Sequence, residues 1–133
     1  MQKFSLLLLF FLFSFISLSA QVIDFCTTIN KEGQCLDHPK KFYISYKKTA
    51  DIYAVVRLLD SVGTTKVEYK IYRVNSFLDE IYMTSLYQEV KPEMKTFWKR
   101  ISFTYELSYK IYLYTDSNKL LTSAPIFVQA VQY

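Results

Sequence analysis

Glycine is scarce in this chain of 133 residues, with two copies, and histidine occurs once, cysteine twice, proline three times and tryptophan once. Phosphate loops and dinucleotide fingerprints need several glycines at fixed spacing, and multi-ligand zinc sites need more His and Cys than are present, so these chemistries are excluded. Neither a Gly-x-Ser-x-Gly elbow nor a His-Glu-x-x-His motif occurs. His38 stands beside Pro39 and reads as a solvated loop residue. Asp79 and Glu80 are adjacent, which in a strand sends them to opposite faces and in a helix places them in the first turn. Neither arrangement makes an acid and a nucleophile converge across a cleft. No catalytic residue, metal site or cofactor is assigned, and the chain is expected not to be an enzyme. Its length allows one domain with a single core, which rules out a multidomain enzyme.

Long apolar runs are absent after residue 20. Before it, Met1-Gln2-Lys3 gives a short basic start, Leu6 to Ile16 an apolar core broken by Ser14, and Ser17-Leu18-Ser19-Ala20 a small-residue cleavage box. Residues 1–20 are therefore expected to be a signal peptide, with the product secreted, outside the cell or in the secretory lumen. The apolar stretch is too short for an anchor and lacks basic stop-transfer residues. Removing the leader takes away one basic residue, Lys3, so the formal charge falls from +4 to about +3. That modest charge and the compartment argue against nucleic acid as a partner.

In an oxidising compartment Cys26 and Cys35, the two cysteines, form the one available pair. Closing so short a loop contributes about 2.5 to 3 kcal/mol, a local staple that leaves a hydrophobic core necessary. The intervening Thr27 to Gln34 is polar and reads as a surface turn. Residues 21–40 are set apart as a disulfide-stapled N-terminal segment, and 41–133 as a β-sandwich domain.

The β pattern is direct in most of that domain. Phe42, Ile44 and Tyr46 alternate, Asp51 to Leu59 is a dense apolar run suited to a central strand, and Asp60 to Thr64 is a turn. Val67, Tyr69 and Ile71 face one way, with Lys66, Glu68, Lys70 and Tyr72 the other, as in a half-buried antiparallel strand. Ile101, Phe103 and Tyr105 continue the pattern. Tyr109, Ile111 and Leu113 then alternate with Lys110, Tyr112 and Tyr114, followed by a hairpin turn at Asp116-Ser117-Asn118 and a last strand from Leu120 to Val131. Pro125 lacks a ladder donor, so that strand is expected at an edge or with a bulge. Ser76 to Val90 has two readings. Leu78, Tyr82 and Leu86 recur at four-residue spacing, which suits a short helix near 77–89 ended by Pro92. A strand or irregular crossover, with Ile81, Met83 and Tyr87 on one face, fits the β-rich surroundings better. The fold class expected is all-β, an antiparallel two-sheet sandwich.

The stretch Tyr109 to Val128, with Tyr109 opening one strand and Ser123-Ala124-Pro125 leading into the next, resembles the last two strands of immunoglobulin-like or fibronectin-III-like domains. The resemblance implies a tyrosine corner at Tyr109, with its hydroxyl bonded to backbone at the preceding bend. It implies a fold, not an activity. Cys26 and Cys35 are too close in sequence to be an inter-sheet disulfide of the antibody type, and Trp98 does not lie between them. In size, signal peptide and early cysteine the chain is also similar to secreted lipid-recognition sandwiches of the MD-2 type.

What the sequence has in abundance is tyrosine. All 12 copies follow residue 20, whereas five of the 11 Phe fall before it. Many are expected to be core or cross-strand residues. If Ile111 and Leu113 point inward, however, Lys110, Tyr112 and Tyr114 form an exposed row, and Tyr72 with Lys70 does the same on another strand. Flat amphipathic rings beside cations suit a sugar face or a protein partner. A second candidate is Lys95 to Arg100, where Trp98 is flanked by Lys99 and Arg100. The expected function is a non-catalytic extracellular binding or assembly module with a protein or carbohydrate partner. Self-association is allowed, and the alternative is a lipid carrier with a cavity between its sheets.

Overall fold

The computed structural model describes residues 21–45 and 48–130. The signal peptide expected over 1–20 lies outside them, as do Tyr46 and Val131. Eight strands are present: β1 (Val22–Cys26), β2 (Phe42–Ile44), β3 (Ala50–Arg57), β4 (Lys66–Val74), β5 (Glu80–Glu89), β6 (Thr96–Phe103), β7 (Ser108–Thr115) and β8 (Leu120–Ala130). They form two sheets, β1-β3-β6 and β2-β8-β7-β4-β5. No helix occurs among the described residues.

Alternation places the core. Ile52, Ala54 and Val56 of β3 and Phe97, Ile101 and Phe103 of β6 pack against Val67, Tyr69 and Ile71 of β4 and Tyr109, Ile111 and Leu113 of β7 in one contiguous cluster. The apolar run after Asp51 becomes β3, the central strand of its sheet, paired on both sides. The residues of β7 alternate between half-buried and buried along its whole length, as its sequence requires. Tyr109 donates a hydrogen bond from its hydroxyl to the Tyr105 carbonyl at 2.8 Å, so the tyrosine corner is present. At the β7–β8 turn Asn118 takes φ 64°, a left-handed conformation that asparagine tolerates.

Of the two readings of residues 76–90 the structure shows the strand: residues 80–89 are β5, paired antiparallel with β4 along their length, and the short helix near 77–89 does not form. Two features depart from the sequence reading. The face assignment within β5 changes, because a register shift beside Ile71 and Tyr72 makes Met83 an extra residue. Tyr82 and Tyr87 therefore share the outer face with Tyr72 and Glu68, and Ile81 lies on the opposite side. One strand pair is parallel: β2 runs alongside the end of β8. Because β2 reaches only Val128 to Ala130, Pro125 lies where β8 has no neighbour on that side, which is how an internal strand accommodates it.

The N-terminal segment is threaded into the sandwich. β1 pairs with β3 from Val22 opposite Arg57 to Cys26 opposite Tyr53. The Cys26–Cys35 disulfide forms, and its loop folds back over the outside of the three-stranded sheet. There Val55, which faces outward, is buried but does not belong to the main core. Gly33 is buried in the same loop. Asp37 closes it by accepting hydrogen bonds from the Thr27 and Thr28 amides at 3.0 and 3.1 Å. Desolvation pushes the Asp37 carboxyl up, but the bonds from Thr27 and Thr28 together outweigh it and hold the group below its ordinary value.

Candidate functional site

The outer face of the five-stranded sheet gathers five tyrosines. Tyr112 and Tyr114 stand on β7, Tyr72 on β4, and Tyr82 and Tyr87 on β5. Tyr72 is the centre: its ring meets Tyr82 at 5.6 Å and Tyr112 at 5.3 Å, edge to face in both cases. Tyr112 and Tyr114 lie 6.5 Å apart. Lysines cap the rings, with Lys66 4.5 Å from the Tyr87 centroid, Lys70 4.7 Å from Tyr114 and Lys110 5.0 Å from Tyr112.

Glu80 ties the strands together across this face. The Tyr112 hydroxyl lies 2.7 and 2.6 Å from its two oxygens and donates its proton between them, and Lys110 is 3.2 Å away. The Tyr112 hydrogen bond is the main reason the Glu80 carboxyl sits below its ordinary value, with Lys110 assisting. Tyr112 in turn is raised, by desolvation first and then by the Glu80 carboxylate. Tyr87 is raised by its contact with Glu68. Because the folded pKa of Glu80 is depressed, its contribution is complete above the unfolded value near 4.5 and is lost as pH falls through the folded value. Tyr112→Phe is expected to move the Glu80 midpoint upward toward 4.5 in a carboxyl NMR titration; an unmoved midpoint would show that the hydroxyl does not hold it.

The sequence-predicted residues divide between two places. Tyr72, Lys110, Tyr112 and Tyr114 lie together on one face, as a half-buried, interlocked network instead of rows of free rings. The most accessible rings of this face, Tyr82 and Tyr87, and the organising Glu80 were not among the predicted site residues, because the ambiguous period of residues 76–90 hid the strand that carries them. Trp98, Lys99 and Arg100 lie on β6, in the other sheet. Alternation splits them: Trp98 and Arg100 face outward, and Lys99 shares the side of Phe97 and Ile101. Arg100 is held by Asp51 at 2.7 Å. Trp98 remains 39% exposed but lays its ring against Gly33, so the disulfide loop covers part of it.

Solvent-open clefts among the described residues lie away from the sheet interface. One, of about 440 Å³, runs under the disulfide loop beside His38, Arg57 and Val55, and another, of about 540 Å³, is lined by Val74, Leu107 and Phe127 at the end of the five-stranded sheet. Between the sheets the core cluster is continuous, which gives the lipid-carrier expectation no support from packing. Among the described residues no three His, Cys, Asp or Glu side chains converge as a metal site would require.

No protein-family model matches the sequence, and neither does any curated protein. Among solved structures the chain is similar to an immunoglobulin-like protein from Pseudomonas aeruginosa, with a TM-score of 0.53, 12% identity, and coverage of 81% of this chain and 92% of that one. Identity at that level speaks to architecture alone. Together with the two sheets and the tyrosine corner, it gives this protein an immunoglobulin-like β-sandwich fold.

Proposed function

We propose that the protein is a secreted, non-catalytic module that binds another protein through the outer face of its five-stranded sheet. The observation that carries this reading is the tyrosine network centred on Tyr72, in which rings, lysines and Glu80 already hold one another in place. A surface ordered before contact loses little side-chain entropy on binding, and tyrosine supplies area with a polar edge. A protein partner suits the geometry better than a glycan. Sugar stacking needs free ring faces, whereas here neighbouring rings and lysine ammonium groups stand over them. The charge is also nearly balanced, with Lys66, Lys70 and Lys110 beside Glu68 and Glu80, so an anionic glycan meets no dominant positive field. Secretion is supported by the leader pattern and is consistent with the disulfide.

The test is retention on immobilised protein from extracellular fluid of its source. Wild type should retain a partner that is lost by roughly tenfold or more with Tyr112→Ala plus Tyr114→Ala, while circular dichroism stays unchanged. Retention should survive glycosidase treatment of the fluid. Equal retention by the double variant, or loss after glycosidase, would reject the reading.

A further inference from the structure

Four strands end the two sheets: β1 and β6 in one, β2 and β5 in the other. Unpaired backbone groups at such edges invite another strand, and proteins blunt them with short strands, charges, prolines or bulges. β2 has three residues and β1 five. β6 carries Lys99 on its inner-facing side and Arg100 on the other. β5 is different. It spans ten residues, and the eight from Ile81 to Gln88 contain no charge, proline or glycine. Of the thirteen large apolar or aromatic side chains exposed among the described residues, six lie between Phe77 and Tyr87. Phe77 is 84% exposed, Leu78 80%, and Ile81 and Met83 38% each.

The tip before β5 is held rigidly in this exposed state. The Asn75 side-chain oxygen accepts hydrogen bonds from the Phe77 and Asp79 amides at 3.0 and 2.9 Å, and Leu78 is fixed at φ 65°. A leucine in the left-handed region carries a backbone cost.

We infer that β5 pairs antiparallel with β5 of a second copy, joining two five-stranded sheets into one across a two-fold axis. The strand is complementary to itself when Glu80 lies opposite Tyr87. Residues opposite each other in an antiparallel pair must share a face. On β5 the outer face holds Glu80, Tyr82, Ser85 and Tyr87, and the inner side holds Ile81 and Leu86, with the extra residue Met83 where the parity changes. An axis between Met83 and Thr84 sets Glu80 opposite Tyr87, Ile81 opposite Leu86 and Tyr82 opposite Ser85, so every face matches and the two bulges meet at the axis. Sliding by one residue sets Glu80 opposite an inner-side residue. Sliding by two toward the end of the strand sets Glu80 opposite Glu89, like charges in contact. In the matched register each Phe77–Leu78 tip runs beside the Glu89–Val90 end of the other copy. The exposed apolar tip and edge are thus covered by the same contact, which is isologous and closes at two copies.

The pairing does not depend on the tyrosine face binding anything, and the experiment separates the two. Sedimentation equilibrium of the protein should show a reversible dimer. Met83→Lys, which sets two ammonium groups near the axis, should raise the dimer Kd by roughly tenfold or more with unchanged circular dichroism. Mixing Met83→Lys with Met83→Glu copies should restore dimers. If Met83→Lys perturbs the fold, Thr84→Lys with Thr84→Glu gives the same reading from an exposed position. Tyr112→Ala plus Tyr114→Ala should still dimerise. A wild type that stays monomeric at millimolar concentration, open-ended polymers instead of dimers, or charge variants that dimerise as wild type does would each overturn the inference.

Discussion

Leu113→Ala is expected to lower unfolding free energy by about 2–5 kcal/mol, since deleting a buried leucine removes its transfer energy and leaves a cavity. Leu113 is fully buried on β7, a strand paired on both sides, and joins the cluster that connects the sheets. Leu120, at the start of β8 and 49% exposed, supplies the control. Leu120→Ala should change stability by no more than about 0.5 kcal/mol. Urea unfolding of both variants checks the pair. Similar losses at the two positions would mean that the inward parity of β7, and with it the outward parity of Tyr112 and Tyr114, is wrong.

The second large effect is expected at the disulfide loop. A Cβ added at Gly33 would lie 2.2 Å from two ring carbons of Trp98, and the backbone there has φ +77°. Gly33→Ala must therefore displace the indole or the loop as well as strain the backbone by roughly 1–2 kcal/mol. Cys26→Ser plus Cys35→Ser should cost about 2–4 kcal/mol by freeing the same loop and uncovering Val55. Trp98 is the sole tryptophan, so its fluorescence reports this region alone. Both variants should shift its emission to longer wavelength before global unfolding. Unchanged emission together with unchanged stability would mean that the loop does not seal the outer side of the three-stranded sheet.

Where two-residue alternation runs unbroken, the fold was legible in advance. β4 and β7 have this property, and their inward residues Val67, Tyr69, Ile71, Tyr109, Ile111 and Leu113 are all buried. The tyrosine corner was implied by the resemblance of the stretch Tyr109 to Val128 to the last two strands of immunoglobulin-like domains, and its hydrogen bond is present. β5 was less legible for two local reasons. Leu78, which suggested a helical spacing with Tyr82 and Leu86, belongs to a tight turn and not to the strand. The extra residue at Met83 then reverses the alternation halfway along, so no single period describes residues 80–89. β1 was overlooked because five residues next to a cysteine carry little pattern of their own, and its pairing with β3 is a long-range contact.

The candidate surface was legible to the same extent as the strands beneath it. Outward parity on β4 and β7 located Tyr72, Lys110, Tyr112 and Tyr114, but Glu80 and the Tyr82 and Tyr87 rings depended on the register of β5. Trp98, Lys99 and Arg100 do not share one face because consecutive strand residues face opposite ways, and the residue that partly covers Trp98 is Gly33, which lies far from it in sequence.

The most direct measurement of the proposed binding face is site-specific photo-crosslinking, with the photoreactive group placed at Tyr114 in one variant and at Ser102 in another. Ser102 is exposed on the outer face of the opposite sheet, where it is bonded to Asp51. In source extracellular fluid the Tyr114 probe should capture a discrete protein and the Ser102 probe should not. Capture from Ser102 with none from Tyr114 would contradict the assignment of the tyrosine face as the binding surface.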